Sequence, residues 1–114
     1  MVAEDQGVVG VLVEDELTDA GFLVAGPFIH CSSALDWLKG NHVDAAVLNV
    51  VLADGPCDDL ARALNARDVP FVIYSGRFPE TQIYVYAEWI EKPAPVGTIA
   101  QAISLLVGRD RETL

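Results

Sequence analysis

Short runs of small and branched apolar residues, with no polar residue in alternation, limit this chain to very few architectures. The run Ala45-Ala-Val-Leu48 is apolar at every position, and so are Val8–Val13 and Phe71–Tyr74. Uniformly apolar runs of strand length fit strands buried on both faces, which belong to parallel sheets covered by helices on each side. The predicted strands are 8–13, 22–25, 45–50, 71–74 and 89–91. Between them lie helical patterns. The stretch 32–39 has Ser32 or Ser33 to cap it, Leu35 and Leu38 facing inward, and Gly40 to end it. Helices are also predicted over 58–67, from Leu60, Ala61 and Leu64, and over 96–107, from Ile99, Ala102, Ile103 and Leu106. The stretch 79–87 suits a strand or a short helix, because Ile83-Tyr-Val-Tyr86 has β-forming residues throughout. The alternation predicts one doubly wound α/β domain over 1–108 and a frayed tail over 109–114.

In such a sheet the polar residues that follow the strands collect at one edge. Here they are Glu14-Asp15-Glu16, Asn49, Ser75-Gly76 and Glu91-Lys92-Pro93. Carboxylates, a hydroxyl and a lysine would surround position 49, and position 49 is an amide. Asp54, in the nearby Asp-Gly turn, is read as support for that turn.

One connection does not fit. Only Glu16-Leu-Thr-Asp-Ala-Gly21 separates the first two predicted strands, whereas neighbouring parallel strands need a crossover of about a dozen residues or more. Read this way, the chain lacks its first helix. Several hundred Å² of apolar sheet would then be uncovered, an area typical of an interaction site. A second copy, contributing its first strand through the short hinge, would cover it, so a homodimer is expected.

The net charge of −10 excludes nucleic acid and anionic membrane as main partners, since both need a basic surface. No apolar run reaches membrane-spanning length, and the expected location is the cytoplasm. Cys31 and Cys57 form no CxxC motif and are read as buried free thiols of a reducing compartment.

In their order these segments resemble the receiver domain of two-component response regulators. Val11-Leu-Val-Glu-Asp-Glu16 is similar to that family's first strand and acidic pair, 46–55 to its phosphoacceptor strand and loop, and Glu91-Lys-Pro93 to its lysine–proline step. Pro70-Phe-Val-Ile-Tyr-Ser-Gly76 resembles the Pro-Phe-x-Phe-Ala-Thr-Gly-Tyr motif of a subclass, often single-domain, paired with HWE-type histidine kinases. The resemblance implies a flavodoxin-like sheet of five parallel strands in the order 2-1-3-4-5. It places Asn49 at the phosphoacceptor position and Mg²⁺ on Glu14, Asp15 and the Val51 carbonyl. Ser75 and Lys92 would sense the phosphoryl group, and Trp89 would stand where an aromatic side chain switches rotamer.

An amide oxygen is a far weaker nucleophile than a carboxylate, and it also weakens the Mg²⁺ site. The resemblance therefore implies a pseudo-receiver, natural or made by an aspartate-to-asparagine change. It would be no enzyme and would act by binding a histidine kinase, another signalling protein or its own copy. Two other readings are a metal-assisted phosphohydrolase and a flavodoxin-like binder of a small cofactor. The first lacks an Asp-x-Asp pair, and the second lacks a glycine loop after the first strand.

Overall fold

The computed structural model describes residues 1–77, 82–84 and 87–108. The 109–114 tail and most of the ambiguous 79–87 stretch fall outside them; a single 3-10 turn spans Gln82–Tyr84.

The first strand, β1, is Val2–Ala3, and the residues Gly7–Asp19 form a helix, α1. The predicted strand 8–13 and the predicted absence of the first helix are therefore both corrected. The run was read as a strand because it is apolar and β-branched at nearly every position. In the helix only Gly10, Val13 and Leu17 are buried, at the spacing of one helical face. Val8, Val11 and Leu12 are 77%, 51% and 62% exposed on the other side. Moving the strand back to residue 2 also restores a crossover of ordinary length.

The order continues with α2 (Cys31–Lys39), β2 (Ala46–Leu48), β3 (Val51–Leu52), β4 (Gly55–Pro56), α3 (Asp58–Ala66), β5 (Phe71–Ser75), β6 (Glu88–Glu91) and α4 (Thr98–Leu106). Strands β1, β2, β5 and β6 form a parallel sheet in that order, while β3 and β4 make a separate two-stranded hairpin. Five sheet strands were expected. The predicted strand 22–25 does not form; its place is taken by one parallel bridge between Phe28 and Ala3, flanked by bonds from Val2 N–H to the Ala25 carbonyl and from Glu4 N–H to the Phe28 carbonyl. It lies outside β1, so the order 2-1-3-4-5 holds with its edge position reduced.

Alternation along the strands divides the core. Ala3, Ala46, Leu48, Phe71 and Ile73 face α2 and α3, joined by Leu38, Leu60 and Leu64. Val2, Val47, Val72, Tyr74 and Ile90 face α1 and α4, joined by Val13, Leu17, Ile99 and Ile103. This three-layer packing covers both sheet faces and removes the uncovered surface from which strand exchange was inferred. Two local features fix α1 in place. A Cβ on Gly10 would come within 3.1 Å of the Pro27 ring, so a larger residue would push that ring back by a few tenths of an ångström. The Glu16 carboxylate accepts the Ala100 N–H at 2.7 Å and so caps α4 from its neighbour.

Candidate functional site

The strands end together at one edge of the sheet. There β1 leads into Glu4 and Asp5, β2 into Asn49, β5 ends in Ser75, and β6 leads into Lys92. Register fixes this arrangement: Leu48 lies beside Ala3 and Ile73, and Ser75 beside Glu91. Sequence reading chose Glu14 and Asp15 as the acidic pair, but both stand on α1, beyond its middle. The pair at the strand end is Glu4-Asp5, which repeats the same Glu-Asp step after a much shorter apolar run.

The side chains around Asn49 are tightly matched. Its amide nitrogen donates to Glu4 Oε2 at 3.3 Å and to Asp5 Oδ1 at 3.2 Å. Ionised carboxylates only accept, so the amide must turn its NH₂ toward them. The other oxygen of Glu4 pairs with Lys92 Nζ at 2.7 Å, with side-chain exposures of 3% for Glu4 and 15% for Lys92. Gln6 N–H donates to Glu4 as well, and Lys92 donates to the Gln6 side chain and lies 5.5 Å from the centre of the Tyr74 ring. Glu4 is a buried acid, and its charge is met by an ammonium and two N–H donors.

Ser75 is buried and its Oγ accepts the Arg77 N–H at 3.2 Å. The Trp89 indole N–H donates to the Ser75 carbonyl at 3.2 Å, which ties the half-buried ring to the strand end. Val51 opens the hairpin, half-exposed.

A divalent cation at a receiver's acidic edge needs oxygen ligands free to face it. Here Asn49 and Lys92 already present donors to both acids, and among the described residues no three His, Cys, Asp or Glu side chains gather as a metal site. Mg²⁺ at Glu4 and Asp5 would have to displace these donors, so the site is weakened for it.

Asp54 does more than support its turn. Its carboxylate accepts the N–H groups of Cys31 at 2.7 Å and Ser32 at 3.1 Å, capping α2 in place of the serines. These bonds hold its pKa below the ordinary carboxylate value. The cysteines are not free: Cys31 and Cys57 form a disulfide with Cα atoms 5.7 Å apart. Sequence separation hid the contact, which arises because α2 and α3 begin side by side.

A parallel sheet of this order, with acids, a hydroxyl and a lysine at its strand ends, defines the flavodoxin-like receiver fold. Solved structures agree. The chain is similar to SdrG from Sphingomonas melonis Fr1 at 28% identity and a TM-score of 0.80, covering 93% of this chain and 92% of that one. It is similar to a response regulator receiver protein from Sinorhizobium medicae WSM419 at 26% identity and a TM-score of 0.81, covering 94% and 91%. A CheY-like receiver domain from Methylobacillus flagellatus shares the fold at 20% identity, with a TM-score of 0.77 and coverage of 92% and 94%. No protein-family model and no curated protein matches the chain. None of the described helices is long and apolar enough to cross a membrane.

Proposed function

We propose that this chain is a receiver-fold binding module of two-component signalling that does not accept a phosphoryl group. It engages a histidine kinase, of the HWE type by the resemblance of its 70–76 segment, or another signalling protein. The observation that carries this reading is the Asn49 amide bridging Glu4 and Asp5. Transfer from phosphohistidine requires a carboxylate oxygen to attack phosphorus while the imidazole nitrogen leaves. Residue 49 instead offers a neutral amide whose N–H groups hydrogen-bond both acids. The ammonium that would meet the phosphoryl oxygens is paired with Glu4.

Binding is supported by the outer face of α1, where Val8, Val11 and Leu12 stand exposed just beyond the acidic edge. A partner of other composition fits this face better than a second copy, because two chains of net charge −10 repel one another. The test is phosphotransfer from an HWE-type kinase charged with labelled ATP. Label should stay on the kinase with the unchanged chain and move to the Asn49→Asp variant. Stoichiometric labelling of the unchanged chain would refute the proposal.

A further inference from the structure

Cys31 and Cys57 take no part in the charge balance around Asn49, yet their bond closes the loop that begins there. Cys31 is the first residue of α2, and Cys57 is the N-cap of α3. The β3–β4 hairpin is gathered against this junction. Cys31 Sγ lies 3.7 Å from the carbonyl oxygens of both Gly55 and Pro56, Asp54 caps α2, and Ala53 N–H donates to the Ile29 carbonyl. At the far end, Cys57 N–H donates to the carbonyl of Val50, the neighbour of Asn49. Segment 50–57 is therefore held at one end by the strand that delivers Asn49 and at the other by the disulfide.

We infer that Cys31–Cys57 is a thiol–disulfide exchange site for a small dithiol, and that its state sets how freely segment 50–57 opens beside Asn49. Both cysteines are buried in the core, and Cys31, 7% exposed against 0% for Cys57, is the nearer to solvent, so attack falls on it once the hairpin opens. A thiolate of the dithiol bonds to Cys31 Sγ, and the Cys57 sulfur departs with the electron pair of the old bond. It departs at the start of α3, where the N-cap side chain makes no capping bond of its own and the helix dipole favours negative charge. Asp58 and Asp59 in the same turn oppose this without occupying the cap. A better-stabilised leaving thiolate exchanges faster. The dithiol's second thiolate then attacks its own sulfur in the mixed disulfide and releases Cys31. Two electrons and two protons pass to the protein, and the dithiol becomes a cyclic disulfide. The inference is independent of phosphoryl chemistry.

The test uses the full chain, dithiothreitol as the dithiol, alkylation read by intact mass, and amide hydrogen exchange. Before reduction no alkylation is expected, and afterwards both sulfurs should react. Exchange at the Ala53 and Cys57 amides should then rise at least ~10-fold, while the β5 amides keep their protection. With glutathione as a monothiol and rapid alkylation of the released sulfur, the trapped mixed disulfide should sit on Cys31 at least ~10-fold more often than on Cys57, read by peptide mass. Free thiols in chain prepared without reductant would overturn the inference. So would unchanged exchange at Ala53 and Cys57 after reduction, an equal partition of the glutathione adduct between Cys31 and Cys57, or loss of β5 protection, which would make the bond a global staple.

Discussion

The amide at position 49 makes a quantitative prediction about stability and Mg²⁺ together. Asn49→Asp preserves shape but turns two N–H donations, at 3.3 and 3.2 Å, into oxygens facing oxygens. Each lost bond to a charged group is worth roughly 1.5–3 kcal/mol. A like-charge pair at this separation adds about 5 kcal/mol of repulsion at an effective dielectric constant near 20. Relaxation reduces that sum, because Asp5 and residue 49 are only half-buried and Glu4 retains Lys92. A net loss of roughly 3 kcal/mol is expected without divalent cations, or about 12 °C in Tm at ~4 °C per kcal/mol. Asp5, the new carboxylate at position 49 and the Glu4 oxygen that Lys92 does not hold would then be able to face a cation. Mg²⁺ at a hundredfold its Kd should return about 2.7 kcal/mol to the variant. The unchanged chain, with its donors in place, should gain almost nothing. Thermal melts of both proteins with and without Mg²⁺, at matched ionic strength, measure all four states. Equal stabilisation of both proteins by Mg²⁺, or a variant fully stable without it, would refute the argument.

Three further substitutions test the supporting contacts. Lys92→Ala leaves the buried Glu4 carboxylate without its ion-pair partner and should cost about 3–5 kcal/mol in urea denaturation; adding Glu4→Gln should recover part of it. Glu16→Ala removes the side chain that caps α4 at Ala100 and should cost about 1 kcal/mol, with the fastest new amide exchange in the first turn of α4. The folded pKa of Asp54 is depressed, so its contribution is full above the unfolded carboxylate value of 3.8 and is lost as pH falls through the folded one. The stability gap between the unchanged chain and Asp54→Ala should therefore be constant near neutrality and close in acid, measured by urea melts across pH.

Legibility in the sequence followed the strength of local signals. The α3 pattern of Leu60, Ala61 and Leu64 is fully buried as expected, and Ala46–Leu48 and Phe71–Ser75 form the central strands. Asn49, Ser75 and Lys92 stand at the ends of β2, β5 and β6, where the strands read from the sequence put them. What could not be read depended on the third dimension. The cap on α2 comes from Asp54, across the fold, rather than from Ser32 or Ser33. The disulfide partner of Cys31 is separated from it by 26 residues.

The error at the first strand is of another kind, because the information needed to avoid it was present. Two segments compete for the same role: Val2-Ala-Glu4-Asp5 and Val11-Leu-Val-Glu14-Asp15. Choosing by length of apolar run favours the second, and that choice leaves a connection too short for a parallel crossover. Choosing by the connection favours the first, because it frees 7–19 for the helix that the topology requires. The topological rule is the stricter test, since an apolar run can belong to a strand or a helix whereas a crossover has a minimum length. The longer run also has a cause in this chain. Burial accounts for Gly10, Val13 and Leu17 but not for Val8, Val11 and Leu12, which the fold leaves in solvent. Their apolar character is what made α1 look like a strand. Under the proposed function, this exposed apolar face is the surface through which a partner would bind without phosphorylation.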